Sequence, residues 1–314
     1  MVNKESELFH GKLLLFGEYS VLLGSMALSI PFKMFKANFA FMHVNKPDAE
    51  KKSNSELKKY FKYLLSNSNV FEPILNLSNL EKDINSGLFF DSSIPISYGV
   101  GSSGALCAAI YKHYGKNKEN NEPNLRGLKQ RLSLLESGFH GKSSGLDPLI
   151  SYVNKPVLFS GDDQLELVDL QLDKFLENAA VFLIDTQQKG DTAPLVNDFL
   201  LQCESIDFRN KIVEELIPVT QQCINSFCKN DIDNFFKSIQ SLSAFQYQNF
   251  INKIPHAYRA LWKTGLDSNK FWLKLCGSGG GGYLLGFTGN MKETERFLSK
   301  MNFSFHRITC SSMK

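Results

Sequence analysis

Short apolar runs bounded by glycines predict strands near the start of the chain. Residues 13–16 and 27–32 are compact apolar runs, and residues 36–44 alternate between apolar and polar side chains. Residues 55–65 carry apolar side chains at helical spacing, with Ser55 as the predicted N-cap. The same patterns then predict a strand at 88–91, a helix ending near Gly115, a surface loop at 116–124, a helix at 125–137, and a glycine-punctuated loop at 138–149 that begins another short helix.

The second half of the chain is predicted to combine a helical stretch with a small α+β unit. Strands are predicted at 156–159 and 179–185, and the polar stretch between them suggests a boundary that gives domains 1–165 and 166–314. A mostly helical stretch, 194–266, is predicted to break near Asn230 and Pro255. The α+β unit follows, with two strands around a glycine turn in 271–287, a helix near 291–300 and a strand at 303–309.

Composition and charge narrow the classes of function. The 35 Lys and Arg residues nearly balance the 32 Asp and Glu residues, and a net charge of +3 argues against a dedicated nucleic-acid binder. The Lys-rich stretch from Lys46 to Lys62 is predicted to be a solvated face. The N-terminus lacks the apolar core of a signal peptide, and no apolar run approaches the ~20 residues that span a bilayer. We therefore expect a cytoplasmic protein with neither a nucleic-acid nor a membrane partner.

The six cysteines are predicted to be free thiols. No two of them stand at CxxC spacing, and no cluster of Cys and His has the spacing of a zinc site. The cysteine content is also far below that of a small disulfide-stabilised scaffold.

Residues 99–105 form a glycine-rich turn at the start of a predicted helix. Their glycines fit the dinucleotide fingerprint GxGxxG, but the acidic residue expected about 20 positions later would fall in a loop near Glu122. The turn is better interpreted as an anion cradle, because the first amides of a helix have no intrahelical acceptor and Ser102 and Ser103 add hydroxyls. An ordinary tight turn capped by serine is the alternative that this segment alone leaves open.

Two carboxylates and two further glycine clusters follow that turn. Glu136 and Asp147 flank a glycine-rich loop, where carboxylates hold Mg²⁺ or accept protons; the alternatives are a surface glutamate and an aspartate N-cap before Pro148. Residues 141–143 resemble the end of a P-loop, but its first glycine is missing, so we reject that motif. Five glycines within 277–282 exceed the needs of a hairpin and predict a close approach of backbone to a ligand or to the first glycine loop.

Together these motifs resemble those of the GHMP kinases, the superfamily of galactokinase, homoserine kinase, mevalonate kinase and phosphomevalonate kinase. Residues 10–32 are similar to the family motif PGK(V/L)xLxGEHxVxxGxxAL, residues 95–109 to PxxxGLGSSAA, and residues 274–287 to KLTGAGGGG. Glu136 with residues 140–147 is similar to the Glu…HGxxSGxD stretch of mevalonate kinase, and residues 181–196 resemble the strand and threonine loop that follow it.

The resemblance implies both a fold and a site. The implied fold is α+β, with an N-terminal α/β nucleotide-binding domain, a C-terminal ferredoxin-like α+β domain and an active site in the cleft between them. Asp147 and Lys12 would be the catalytic residues, with Lys12 approaching Asp147, and Ser103 and Glu136 would bind Mg²⁺. The residues implied to hold the ATP phosphates are Gly99, Val100, Gly101, Ser102, Ser103, Gly104 and Ala105, and those implied to contact the acceptor are Lys12, Glu18, Asp147 and Thr192.

The expected activity is Mg²⁺- and ATP-dependent phosphorylation of a small-molecule alcohol, with mevalonate, an isoprenoid precursor, as the favoured acceptor. The alternatives are phosphomevalonate or another GHMP acceptor, an ATP-using decarboxylase of the superfamily, and a non-catalytic nucleotide-binding protein. A homodimer is a possible assembly, although the sequence does not fix the oligomeric state.

Several positions depart from the motifs and leave the acceptor open. His10 replaces the proline of the first motif, Tyr19 replaces its histidine, and Gly104 replaces an alanine of the second motif. The resulting GEY and GSSG sequences are both frequent in phosphomevalonate kinases. A second phosphate on the acceptor would need cationic partners. The candidates are Arg126, Lys142, Lys155 and Lys189.

Overall fold

Two units make up the chain, and short segments pass from one unit to the other. The computed structural model describes residues 7–43, 47–116, 124–141, 143–161 and 164–313, without the side chain of His140. Unit 1 comprises residues 1–12, 31–95 and 101–154, and unit 2 comprises residues 13–30, 96–100 and 155–314. The domain limits 1–165 and 166–314 stay a prediction.

Strands and helices alternate irregularly along the chain. The strands are β1 (Phe9–Phe16), β2 (Ala27–Phe41), β3 (Leu88–Ser92), β4 (Val157–Phe159), β5 (Leu165–Leu167), β6 (Ala180–Asp185), β7 (Trp272–Leu275), β8 (Tyr283–Thr288) and β9 (Phe305–Ile308). The helices are α1 (Asp48–Ser66), α2 (Ser68–Phe71), α3 (Leu77–Asn85), α4 (Ser102–Tyr114), α5 (Leu125–His140), α6 (Leu146–Val153), α7 (Leu172–Asn178), α8 (Thr192–Gln202), α9 (Ile206–Lys211), α10 (Ile217–Lys229), α11 (Ile232–Asn249), α12 (His256–Ser268), α13 (Met291–Lys300) and α14 (Cys310–Met313). Two 3₁₀ segments, Ser20–Leu23 and Ile251–Lys253, and a π-helical turn, Ile212–Leu216, complete the set.

β2 is a single strand of 15 residues, so the prediction of two separate strands there was wrong. Its first part, Ala27–Ser29, pairs with β4, and its last part, Ala37–Phe41, pairs with β3, both antiparallel. Pro31 lies between these two paired stretches. Its missing N–H therefore removes no bond from the pairs that β2 makes with β3 and β4, although β1 also pairs with β2.

α1 begins at Asp48, so Ser55 is an internal helical residue and the predicted N-cap was wrong. Pro47 is the N-cap, and Asp48 and Glu50 occupy the first turn, where acidic side chains interact favourably with the helix dipole. The lysines described in this stretch are exposed, as predicted for a solvated face. They are Lys51, Lys52, Lys58, Lys59 and Lys62.

α4 is the buried helix of unit 1, and it ends before Gly115, as predicted. Its buried small residues, among them Ala105 and Ala108, allow close packing of α4 against α5 and α6. α5 extends to His140, beyond the predicted end at 137, so the loop before α6 is shorter than expected. Most of the predicted surface loop 116–124 lies outside the described residues, as does Lys142.

Unit 2 contains an antiparallel sheet in the order β7-β8-β6-β9. Helices connect β6 to β7 and β8 to β9, so the arrangement is the ferredoxin-like one that was predicted. The predicted helix breaks are confirmed, because Asn230 caps α10 in the left-handed conformation and Pro255 is the N-cap of α12. All six cysteines are free, as predicted. In the part of the chain that the structure describes, no helix is long and apolar enough to span a bilayer.

Candidate active site

An ion pair in unit 1 joins the first strand to the sixth helix. The Nζ atom of Lys12, on β1, lies 3.1 Å from Oδ1 of Asp147, with side-chain exposures of 7% and 37%. Asp147 lies in the first turn of α6, whose N-cap is Gly145 in the left-handed conformation. The alternative in which Asp147 caps the helix is therefore wrong, and its carboxylate is available for chemistry.

The glycine-rich turn before α4 lies directly against this lysine. Gly101 is the N-cap of α4, with φ of 78°, a conformation that glycine adopts without strain. A Cβ atom there would lie 2.8 Å from Cγ of Lys12, so the absence of a side chain lets Lys12 pass along the turn. No side chain caps α4, so the amides of its first turn, which have no intrahelical acceptor, could donate to an anion.

Glu136 completes the cluster from α5, where it is only 5% exposed. Ser103 Oγ donates to its Oε1 at 3.0 Å, and Ser143 Oγ donates to its Oε2 at 2.5 Å. Burial, and next the charge of Asp147, raise the pKa of Glu136 to about 7, although the two hydroxyls and Lys12 act in the opposite direction. The alternative of a surface glutamate is therefore wrong.

The raised pKa of Glu136 predicts a pH-dependent stability. Between its unfolded pKa of 4.5 and its folded pKa of about 7, the folded protein holds a proton that the unfolded chain has released. The free energy of unfolding should therefore fall as pH rises through this window, by at most about 1.4 kcal/mol per pH unit. Urea denaturation without nucleotide or metal should show this slope in the wild type and lose it in Glu136→Gln. An equal slope in both proteins would contradict the assignment.

Ser143 is the site residue that the sequence analysis missed. Besides donating to Glu136, its Oγ accepts the N–H of Gly145 at 3.0 Å, and its carbonyl accepts the hydroxyl of Ser133 at 2.6 Å. It therefore connects the buried carboxylate to the turn that begins α6. The sequence offered one signal for Ser143, which is that it directly precedes the motif serine Ser144. The family motif itself specifies only Ser144.

The other two implied acceptor residues, Glu18 and Thr192, lie in unit 2. The Glu18 carboxylate forms an ion pair with Lys274, and both side chains are buried. Lys274 Nζ also donates to the carbonyl of Leu275 at 2.7 Å. Thr192 begins α8, and its hydroxyl accepts from Ser278 Oγ at 3.1 Å. Contact of Glu18 and Thr192 with an acceptor stays a prediction.

The glycine loop 277–282 packs against other backbone segments of unit 2. A Cβ atom at Gly282 would lie 2.5 Å from the carbonyl oxygen of Tyr98, and one at Gly281 would lie 2.6 Å from the carbonyl carbon of Lys189. A Cβ atom at Gly99 would lie 3.0 Å from the carbonyl oxygen of Cys276. Gly282 thus approaches Tyr98, the residue before the first glycine loop, and the alternative of a close approach to a ligand stays a prediction.

Known proteins resemble this chain over nearly its whole length. No family model matches it. A curated mevalonate kinase of Methanocaldococcus jannaschii is 25% identical over 321 residues, which cover 95% of this chain and 96% of that protein. The crystal structure of L. major mevalonate kinase with R-mevalonate superposes with a TM-score of 0.67, at 16% identity, covering 98% of each chain. These similarities support the predicted relationship to the GHMP kinase superfamily.

Solved structures of GHMP kinases have the same fold. Streptococcus pneumoniae phosphomevalonate kinase in complex with phosphomevalonate and AMPPNP superposes with a TM-score of 0.65, at 13% identity, covering 96% of this chain and 99% of that one. The predicted α+β GHMP kinase fold is therefore confirmed.

A departure from the second GHMP motif has a structural reason in this chain. Gly104 stands where the motif has alanine, and a Cβ atom there would lie 2.8 Å from the backbone atoms of both Asp147 and Pro148. Contacts this short do not occur between real Cβ atoms and backbone, so glycine brings α4 closer to α6 than alanine would allow.

Among the candidate cations for a phosphate on the acceptor, Arg126, Lys155 and Lys189 are exposed.

Proposed function

We propose that this protein transfers the γ-phosphate of ATP to the hydroxyl group of a small-molecule alcohol, and that mevalonate is the acceptor. The observation that carries the proposal is the cluster in unit 1. It brings Lys12 to 3.1 Å from Asp147, against a glycine N-cap, while the charges of both residues act on the buried Glu136. Phosphoryl transfer requires a protein to position the reactants and to neutralise charge, and this cluster offers groups for both tasks.

The residues present fit a magnesium nucleotide. Glu136 and Ser103 supply oxygen donors of the kind that Mg²⁺ prefers, and Mg²⁺ commonly takes only one or two protein carboxylates, with phosphates and water completing its shell. Gly99 to Ala105 would hold the ATP phosphates. Bound Mg²⁺ would supply charge neutralisation on those phosphates.

The chain's own groups then act on the acceptor. Asp147, 37% exposed, would accept the proton of the acceptor hydroxyl, or orient that hydroxyl, as its oxygen attacks the γ-phosphorus. Lys12 holds the carboxylate in place through the ion pair. Its position against Gly101 also brings a positive charge beside the glycine-rich turn 99–105, which we call the phosphate turn. A cytoplasmic location and a homodimeric assembly are part of the proposal.

The test is a substrate screen that measures ADP release from Mg-ATP. Mevalonate, phosphomevalonate, homoserine and galactose are offered separately, and we expect mevalonate to give the highest kcat/KM. Phosphomevalonate is the second candidate, because Tyr19 and Gly104 give the GEY and GSSG sequences that are frequent in phosphomevalonate kinases. If neither mevalonate nor phosphomevalonate causes ADP release, both acceptor assignments are contradicted. If the protein binds no nucleotide, the kinase function is contradicted.

Ser103→Ala is expected to raise the Mg²⁺ concentration needed for half-maximal nucleotide binding by about tenfold, which is the worth of one hydrogen-bonding or ligand contact. Titration of a fluorescent ATP analogue at increasing Mg²⁺ measures it. Ser137→Ala is the matched control, since Ser137 follows Glu136 on α5 but its hydroxyl donates to the Ser133 carbonyl of its own helix. An unchanged Mg²⁺ dependence in Ser103→Ala would refute the metal assignment.

A further inference from the structure

Tyr19 holds a backbone conformation that a tyrosine rarely adopts. Its φ of 61° and ψ of −46° precede a 3₁₀ turn, and its side chain is nonetheless buried at 4% exposure. Such a conformation costs free energy and persists only where the surrounding contacts fix it. The contacts that fix Tyr19 therefore indicate what this residue does.

The side chain of Tyr19 is fixed at its ring and at its hydroxyl. The ring packs on Phe199 and Phe250, with centroids 4.8 and 5.1 Å away, and the Lys253 ammonium lies 5.0 Å from its centroid. The hydroxyl donates to the carbonyl oxygen of Ser278 at 2.5 Å. Burial, and next the charge of Asp198, raise the pKa of Tyr19, so the hydroxyl remains a donor throughout the physiological range.

Lys253 also contacts the glycine loop 277–282, through its backbone. Its fully buried ammonium donates to Asp198 Oδ2 at 2.7 Å and to the carbonyl of Leu195 at 3.1 Å, which fixes the residue. Its own carbonyl accepts the N–H of Gly280 at 2.7 Å. Lys253 therefore contacts the ring of Tyr19 through its side chain and holds the loop 277–282 through its backbone.

We infer that Tyr19 is a positioning residue, which holds the loop 277–282 through Ser278 and, through that loop, the Tyr98–Gly99 segment that begins the phosphate turn. The route is continuous in the backbone, because a Cβ atom at Gly282 would lie 2.5 Å from the carbonyl oxygen of Tyr98, and one at Gly99 would lie 3.0 Å from that of Cys276, the residue before the loop. The consequence for nucleotide binding rests on the proposed function. The effect of Tyr19 on the loop 277–282 does not rest on that function. The effect on the loop and the effect on nucleotide binding can therefore be measured separately.

Tyr19→Phe tests the inference, since it keeps the ring, its packing and the lysine contact but removes the hydroxyl. Hydrogen exchange of the peptide spanning 276–283, measured without nucleotide, should accelerate about tenfold, and KM for ATP should rise about tenfold with a smaller change in kcat. Tyr114→Phe is the matched control, because Tyr114 is equally buried and loses a hydroxyl that donates to Asp83 at 2.8 Å in unit 1. It should leave both quantities unchanged.

Two results would overturn the inference. Unchanged exchange of 276–283 in Tyr19→Phe would show that the hydroxyl does not hold the loop, whatever the protein phosphorylates. Accelerated exchange with an unchanged KM would show that the loop does not position the nucleotide. Lys253→Met, which keeps the length of the side chain but removes its charge, provides a second variant and should also accelerate exchange at Gly280, because the residue that accepts its N–H is no longer fixed.

Discussion

Asp147→Asn is expected to lower kcat at least a hundredfold while the protein stays folded. The amide keeps the shape of the side chain, but it cannot take up the acceptor proton and it loses the ion pair with Lys12. Proton transfer by a positioned group typically contributes about 10²–10⁴-fold to a rate. Steady-state kinetics with Mg-ATP and the accepted alcohol measure kcat, and a thermal melt of each variant confirms folding.

Asp233→Asn is the matched control for this change. Asp233 also lies in the first turn of a helix, α11, and is exposed, so the substitution makes the same chemical change away from the cluster in unit 1. We expect its kcat to equal that of the wild type. A kcat for Asp147→Asn within about threefold of wild type, which corresponds to less than about 1 kcal/mol in the barrier, would exclude Asp147 as the catalytic group.

Lys274→Met is expected to have the largest effect on stability. Lys274 and Glu18 form a buried ion pair in unit 2, with side-chain exposures of 0% and 1%. Removing the lysine leaves the Glu18 carboxylate buried without its cation, and changes of this kind cost about 3–5 kcal/mol. Urea denaturation gives the free energy of unfolding, and thermal melts should show a clearly lower Tm.

Two further variants serve as controls for the loss of stability in Lys274→Met. Lys263→Met removes a surface ion pair with Asp267, whose side chains are 58% and 61% exposed, and it should cost no more than about 1 kcal/mol. Adding Glu18→Met to Lys274→Met removes both charges and should recover part of the lost stability, because the desolvated carboxylate is gone. A loss for Lys274→Met as small as that for Lys263→Met would contradict the buried ion pair.

The elements that the sequence predicted well are those with a local chemical signal. Asn230 and Pro255 mark helix boundaries because one adopts the left-handed conformation and the other cannot continue a helix before it. The start of α1 and the continuity of β2 were not predictable in this way. Pro31 lies outside the stretches of β2 that pair with β3 and β4, and pairing is a property of segments far apart in sequence.

The resemblance of the motifs to those of the GHMP kinases could be recognised from the sequence, and it implied Lys12, Ser103, Glu136 and Asp147 as site residues. The groups that these residues meet could be identified only from the fold. Ser143 faces Glu136, Glu18 meets Lys274 across 256 positions, and Tyr19 meets Ser278 across 259. Local propensities act over a few residues, whereas these contacts depend on chain folding and burial, which bring distant polar side chains within hydrogen-bond distance.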